Sequence, residues 1–326
     1  MSNNLLADFE VKVPVLNAGM GGGLAGPTLV SAVSNKGGLG VLGTGACPPP
    51  LVHEMVKQTR ELTGRPFGAN IILPMSDGSD VTAVFDEQVP LLVVFWGDPQ
   101  PYVADAHRRG MKLAVQVGNA DEASQAADAG VDGIIIQGTQ AGGHCKAETL
   151  LADSLEQTLS AVNGVGVIAA GGIATGQGVH DALAQGAIGV SMGTRFLATQ
   201  EAQAASEYKE AIVAAKSSDT VLTKMFDLGW PDAAHRVIRN ETYDRWLSDG
   251  EKPSGERPGE GEIVGEVAWG EGIEVPRYAV FPAITDFRGE VANTALYAGE
   301  SVDDIESLLS TEAVMDQLIG ELKAAR

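Results

Sequence analysis

The chain has 326 residues and a formal net charge of −21, with 43 acidic side chains against 22 lysines and arginines. This balance argues against nucleic acid or an anionic membrane surface as a partner, because binding to phosphates requires clustered lysine and arginine. Two cysteines are too few for a disulfide framework or a cysteine-based metal site, and we expect no metal.

The length allows one large barrel domain or two smaller domains. The amino-terminal sequence MSNNLLADFEVKVPV has no basic region followed by a long apolar core, so we expect no signal peptide. The strongly apolar runs, such as residues 91–96, are far too short to span a bilayer. These features predict a cytoplasmic protein.

Short apolar runs alternate with alanine-rich segments over the first 200 residues. Continuous apolar strands are typical of a buried parallel sheet, and eight strand–helix units in a row predict an α/β fold, a (β/α)8 TIM barrel. A doubly wound open sheet is the alternative, but the first turn lacks the dinucleotide fingerprint and its acidic residue. The predicted strands lie near residues 13–18, 39–43, 67–73, 91–96, 112–117, 133–137, 165–170 and 188–192.

The alternation ends near residue 220. Residues 251–261 (EKPSGERPGEG) are a polar loop rich in proline and glycine, and apolar spacing predicts helices over 291–298 and 303–325. We therefore expect a barrel made of residues 1–220 and 290–326, with a carboxy-terminal helix. Residues 221–289 would form a smaller, mainly helical appended segment that covers the substrate.

Polar and glycine residues interrupt the apolar strands at sites where a ligand or a turn needs them. Residues 17–23 (NAGMGGG) form a loop that lets a ring lie against the backbone at Gly21 with Met20 over it, or a flexible turn. Asn70 stands inside an apolar strand, where its amide binds a ligand or neighbouring backbone. Gln116 and Gln137 end the fifth and sixth strands, and they bind either the pyrimidine edge of a flavin or barrel groups.

His144 follows the sixth strand in the glycine-rich loop GTQAGGHC, and we interpret it as a catalytic base. The positions of His53, His107 and His180 indicate solvated helices, whereas His235 lies in the irregular region and lines the mouth or is structural. A Cys145–His144 dyad is not expected, because adjacent side chains point apart. Lys146 either supplies positive charge near a developing anion or faces water.

The seventh and eighth strands end in small residues. Loops after these strands form the usual phosphate site of a TIM barrel. Backbone N–H groups at Gly171, Gly172, Gly193 and Thr194, with the Thr194 hydroxyl, therefore predict a monophosphate site.

These motifs together resemble the nitronate monooxygenase family, formerly called 2-nitropropane dioxygenases, to which flavin-dependent enoyl-acyl-carrier-protein reductases are related. The resemblance runs from about residue 14 to 197 through the glycine loop, FGAN, QG..AGGH, AAGGIA and MGTRFL, and residues 295–301 (ALYAGES) look like the family's late segment. Two positions depart from the family pattern: Gln140 replaces glutamate and Lys146 replaces glycine. Both departures bear on substrate preference.

The resemblance implies an FMN-binding barrel with His144 as the base. It implies FMN contacts at Met20, Asn70, Gln137, Gly142, Gly172, Gly193 and Thr194. The implied reaction is oxidation of an alkyl nitronate or nitroalkane by O2 to a carbonyl compound and nitrite. The partners are a small-molecule substrate and O2, with a homodimer as the candidate assembly. The alternatives are an FMN-dependent NAD(P)H reductase of enoyl thioesters or quinones, a flavin-free lyase or isomerase, and a non-enzymatic binding protein.

Overall fold

The computed structural model describes residues 4–268 and 272–325. Its centre is an eight-stranded parallel sheet in the order β1-β9-β8-β6-β5-β4-β3-β2. An isolated parallel bridge between Leu16 and Leu39 joins the two edge strands, so the sheet closes into a ring. The strands are β1 (Val15–Asn17), β2 (Gly40–Gly43), β3 (Phe67–Ile72), β4 (Leu91–Phe95), β5 (Lys112–Val117), β6 (Gly133–Gln137), β8 (Gly166–Ala170) and β9 (Gly189–Met192).

Helices follow the strands and form the outer layer. Five of them begin at a favourable residue: Asn119 and Thr175 cap α6 and α8 with their side chains, and prolines occupy the first turns of α2, α3 and α5. The barrel prediction is confirmed. The helices of this layer are α2 (Pro27–Asn35), α3 (Pro49–Leu62), α4 (Ser79–Asp86), α5 (Gln100–Arg108), α6 (Ala120–Ala129), α7 (Leu151–Ala161) and α8 (Gly176–Gln185).

Side chains alternate between two cores along each barrel strand. Leu91 and Val93 of β4 point to the barrel interior, whereas Leu92 and Val94 pack against the helices. A short helix, α1 (Leu5–Asp8), inserts Leu5 and Leu6 into the interior cluster. The same cluster contains Leu39 and Ile168, so the interior is a packed core rather than a channel.

The carboxy-terminal helix α12 (Thr311–Ala324) packs against both α8 and α2. It therefore takes the place of the eighth helix in the ring, although more than a hundred residues separate it from β9. The helix predicted over 303–325 is shorter than expected. A 3₁₀ turn covers Glu300–Asp304, and α12 begins after Ser310, whose hydroxyl accepts from the N–H of Ala313.

Residues 221–289 contain more strand than helix, so the prediction of a mainly helical appended segment was wrong. After α9 (Thr194–Leu197) and α10 (Ser206–Ala214) come β10 (Thr220–Thr223), β11 (His235–Ile238), α11 (Glu241–Ser248), β12 (Ile263–Val267), β13 (Ile273–Pro276) and β14 (Phe287–Gly289). β12 lies between β13 and β14 in one antiparallel sheet. β11 lies between β10 and β7 (Gly143–His144) in another.

The helix predicted over 291–298 is also wrong. Only Val291–Asn293 form a 3₁₀ turn. The next residues run beside β11, where the Leu296 carbonyl accepts from Ile238 and the Ala298 N–H donates to Arg236. These backbone groups pair with a distant strand, and no pattern within 291–298 encodes that partner.

Candidate active site

One cavity opens at the carboxyl ends of the barrel strands, where TIM-barrel enzymes carry their active sites. It encloses about 1410 Å³ of empty space, its open mouth included. Every residue that the sequence assigned to the site lies in its wall. These residues are Met20, Gly21, Asn70, Gln116, Gln137, Gly142, His144, Gly171, Gly172, Gly193 and Thr194.

The glycine loop after β1 packs tightly against its neighbours, and this explains its composition. A Cβ on Gly19 would lie 2.2 Å from the Cβ of Asn70, and one on Gly43 would lie 1.6 Å from the carbonyl oxygen of Met20. The backbone of Met20 and Gly21 is therefore held against β2 and β3 at the cavity wall. The flat, side-chain-poor surface of this loop suits a planar ring.

Asn70 is buried at the cavity wall with its amide only partly used. Its Nδ2 donates to the carbonyl of Val93 at 3.3 Å, and its backbone carbonyl accepts from the Thr44 hydroxyl. Within residues 4–268 and 272–325, its Oδ1 accepts no hydrogen bond. Asn70 is thus tied to the barrel on one side and keeps an acceptor for a ligand.

Gln116 and Gln137 behave differently, although both end a barrel strand and line the cavity. Gln137 Nε2 donates to the His144 carbonyl at 3.0 Å, and its Oε1 accepts from the Lys146 N–H at 3.1 Å. Its amide therefore fixes the loop that carries His144. The Gln116 side chain makes no hydrogen bond within the described residues, so both its donor and its acceptor are available.

His144 lies on β7, a two-residue strand that pairs with β11 of the appended segment. Its imidazole stacks on the Trp230 indole with ring centres 4.1 Å apart and planes at 23°. Its Nε2 is buried and has no hydrogen-bond partner within the part of the chain that the structure describes. A buried ring nitrogen without a partner is unusual, and this one lies beside a cavity.

Burial lowers the pKa of His144 to about 3, with a further contribution from His235. The imidazole is therefore neutral at physiological pH and is able to accept a proton. Its charged form is unfavourable in the cavity until an anion forms beside it. An exposed histidine has a pKa near 6.5, and the sequence alone does not reveal this desolvation.

Four N–H groups at the strand ends are available to a ligand. Within the described residues, the backbone nitrogens of Gly171, Gly172, Gly193 and Thr194 donate to no protein acceptor. Gly171 and Gly172 have φ values of 109° and 72°, which favour glycine. The Thr194 hydroxyl accepts from the Gly299 N–H at 3.0 Å and keeps its own proton to donate. These donors fit a bound phosphate without a cation.

The late segment closes this side of the cavity. A Cβ on Gly142 would lie 2.4 Å from the Gly299 nitrogen, so glycine allows the two loops to touch. Tyr297 and Ser301 line the cavity, in agreement with the resemblance of residues 295–301 to the family's late segment.

Sequence reasoning missed the groups behind His144. Trp230 and Tyr297 contact its ring, and His235 lies 5.3 Å from it. His235 is completely buried; its Nδ1 donates to the Ala233 carbonyl and its Nε2 accepts from the Phe226 N–H, so it does not line the mouth. Lys146 pairs with Glu122 at 2.6 Å, so it is not a free cation at the site.

The chain is similar to known proteins both in sequence and in structure. A family model described as nitronate monooxygenase matches residues 3–92 and 77–321. The chain is 30% identical over 269 residues to a probable nitronate monooxygenase of Staphylococcus aureus, which covers 69% of this chain and 76% of that protein. The structure of FabK from Thermotoga maritima superposes with a TM-score of 0.83 at 29% identity and covers 99% of this chain and 97% of the other.

A further relative is the "(3aS,4S,5R,7aS)-5-hydroxy-7a-methyl-1-oxo-octahydro-1H-indene-4-carboxyl-CoA dehydrogenase" of Rhodococcus jostii. It is 36% identical over 234 residues, which make up 71% of this chain and 64% of that protein. The match thus leaves about a third of that relative outside the alignment. Within residues 4–268 and 272–325, no helix is long and apolar enough to cross a membrane, and no cluster of acidic, histidine and cysteine side chains could hold a metal.

Proposed function

Because the chain belongs to the nitronate monooxygenase family and is an oxidoreductase, we propose that it oxidises alkyl nitronates with O2 to a carbonyl compound and nitrite. The observation that carries this proposal is the unpaired, neutral imidazole of His144 in the wall of a cavity that offers four free N–H donors. Flavin dependence is typical of the family, and FMN is the cofactor that we propose here.

The residues present fit FMN. The free N–H groups of Gly171, Gly172, Gly193 and Thr194 would hold its phosphate, and the glycine loop at Met20 and Gly21 would lie along its ring. Asn70 Oδ1 and the Gln116 amide are available to bind the polar edges of the ring. Gly142 has no side chain, so residues 295–301 can pack against its loop. FMN, when bound, supplies the transfer of electrons between substrate and O2.

His144 would take the α-proton from a neutral nitroalkane or position a nitronate that is already formed. Stacking on Trp230 and pairing of its backbone with β11 fix the ring, so little freedom is lost when substrate binds. The low pKa of the free imidazole makes it a weak base on its own. The negative charge of the nitronate formed beside it stabilises the imidazolium and offsets this weakness.

Purified enzyme tests the proposal directly. A flavin absorbance spectrum, together with nitrite released and O2 consumed from ethylnitronate and nitroethane, should show turnover of both substrates. A colourless protein that stays inactive after addition of FMN would refute the cofactor and the reaction together, and would favour the flavin-free barrel.

A reductase of the same fold is the second candidate, because the FabK structure and the Rhodococcus jostii indene-carboxyl-CoA dehydrogenase are both similar to this chain. It would use NAD(P)H to reduce an enoyl thioester or a quinone. Anaerobic mixing with NADH and with NADPH separates the two. Rapid bleaching of the flavin absorbance would support the reductase, and an unchanged spectrum would support the oxygenase.

A further inference from the structure

We infer that the substrate of this enzyme carries an uncharged, apolar tail, and that the site rejects nitronates whose tail ends in a carboxylate. This inference rests on the proposed function and adds the class of substrate to it.

The first observation is the chemistry of the wall. Among the described residues that line the cavity, none is an aspartate, glutamate, lysine or arginine. The titratable side chains there are His144, whose pKa is lowered to about 3, and Tyr297, whose pKa is raised by burial. Both are neutral at physiological pH, so the described wall has no formal charge.

The second observation is where polar donors are available. The free N–H groups lie on the glycine side, at residues 171, 172, 193 and 194. The opposite wall is built from side chains that include Ile72, Met75, Val280 and Pro282. Val280 donates its N–H to Leu228, its carbonyl accepts from the Tyr297 hydroxyl, and Pro282 has no N–H. A substrate tail that lies along this wall would therefore make apolar contacts.

The third observation concerns the two cations closest to the His144 loop, Lys146 within it and Arg236 on the strand paired with it. Lys146 pairs with Glu122, and its Nζ lies over the Trp96 ring at 5.8 Å. Arg236 donates to the Thr139 carbonyl and pairs with Glu300 at 3.0 Å. Neither is free to receive a carboxylate, and the net charge of −21 repels a doubly charged nitronate more strongly than a singly charged one.

A buried carboxylate without a partner loses its hydration and gains nothing in exchange, so its binding is strongly disfavoured. The nitronate head would offset part of this penalty by a hydrogen bond from the unpaired ring nitrogen of His144. A tail of methyl and methylene groups gains from the apolar wall instead. Gln140 and Lys146, the two departures from the family pattern, add no available charge to the cavity.

A matched set of nitronates tests the inference. The nitronate of 3-nitropropanoate has a carboxylate tail, its methyl ester is neutral, and 3-methyl-1-nitrobutane replaces the carboxylate with an isopropyl group of similar shape. We expect kcat/KM for the two uncharged substrates to exceed that for the carboxylate by about a hundredfold or more. Anaerobic calorimetric titration of the His144→Ala enzyme with the parent nitro compounds should show the same order of binding, because this variant lacks the proposed base.

Equal or better use of the carboxylate substrate would overturn the inference and leave the proposed function intact. Failure of all three nitronates to yield nitrite would overturn the proposed function, and the inference would fall with it. The two failures are therefore distinguishable.

Substitution in the wall provides a gain-of-function arm. Met75→Lys should raise the kcat/KM ratio of carboxylate to ester about tenfold, because the new ammonium pairs with the carboxylate. Met75→Leu, the matched control, should keep the wild-type preference. A folded Met75→Lys enzyme with an unchanged ratio in both turnover and calorimetry would refute the assignment of this wall to the substrate tail.

Discussion

The barrel and the appended segment both reach the cavity, but they supply different chemistry. The barrel contributes mostly backbone: glycines, free N–H groups and the amides of Asn70 and Gln116. The appended segment contributes side chains, with Trp230 behind His144 and Val280 and Pro282 in the wall. The barrel side is suited to a cofactor whose shape does not vary, and the appended side is suited to select the substrate.

His144 belongs to both regions. Its chain position is within the barrel loop after β6, whereas its pairing partner β11 and its stacking partner Trp230 belong to the appended segment. Substitutions on each side should therefore separate cofactor binding from reactivity.

Removal of the imidazole should have the largest effect. His144→Ala should lower kcat/KM for neutral nitroalkanes by roughly two to four orders of magnitude, because general-base catalysis contributes about that much. Nitronates need no proton removed and should lose much less. Steady-state nitrite release from matched nitroalkane and nitronate pairs measures both.

His180→Gln, a substitution on helix α8 outside the cavity, is the control and should leave both rates unchanged. Equal losses of His144→Ala on the two substrate forms would contradict the role of His144 as a base.

Substitution on the glycine side should weaken the cofactor without unfolding the protein. Gly193 has φ of −93°, and a Cβ there would meet only Ala18 Cβ, at 3.8 Å. Gly193→Ala should therefore leave the melting temperature of the apoprotein unchanged. Its methyl group would occupy space that we assign to the phosphate and raise the Kd for FMN by about a hundredfold, a loss of about 2.7 kcal/mol. Fluorescence titration of the apoprotein measures this Kd.

Gly320→Ala is the matched control, since a Cβ at Gly320 on α12 meets nothing within 4 Å. Unchanged FMN affinity in Gly193→Ala would remove that position from the phosphate site.

Acidification should destabilise the appended side. Burial lowers the pKa of His235 to about 4 from a usual value of 6.5, so the unfolded chain binds a proton that the folded chain refuses. The free energy of unfolding should thus fall as pH drops below 6.5, with about 2 kcal/mol lost to His235 by pH 5. Urea titrations at pH 7 and pH 5 measure the difference.

His235→Gln retains an acceptor for the Phe226 N–H and should lose this part of the pH dependence. An identical pH dependence in the variant would show that His235 is not the responsible group.

The smallest effect is expected at Gln137, which links the two regions. Gln137→Leu removes both hydrogen bonds to the His144 loop, and we expect kcat with nitroalkanes to fall about tenfold, equivalent to about 1.4 kcal/mol. Flavin binding should persist. Gln116→Leu, at the neighbouring strand end, should show the reverse: weaker flavin binding with an unchanged melting temperature.

The barrel was predictable from sequence because its signals are local. The apolar run 133–137, for example, coincides with β6, and parallel strands bring their carboxyl ends to one face, so residues far apart in sequence meet at one cavity. The sequence does not predict strand β7, because two residues are too few to show the alternation of apolar and polar side chains that marks a strand. Its partner β11 is about ninety residues away in the chain.

The residues that line the site were easier to predict than the groups that they contact. His144 stood out because it is a single imidazole in a glycine loop, but Trp230 has no sequence signal beyond its aromatic character. Gln137 was open between a ligand and a structural role, and only the return of the chain at residues 144–146 shows its hydrogen bonds. Desolvation of His144 depends on that same packing.

The pairing of β7 with β11 also sets an order of events during synthesis. All eight strands of the ring have been made once Met192 has emerged, and His144 is by then part of the nascent chain. The strand that immobilises it follows only with Arg236, and α12 comes last. A ribosome that stalls between these points would therefore hold a chain with the whole ring but with a catalytic loop still unanchored.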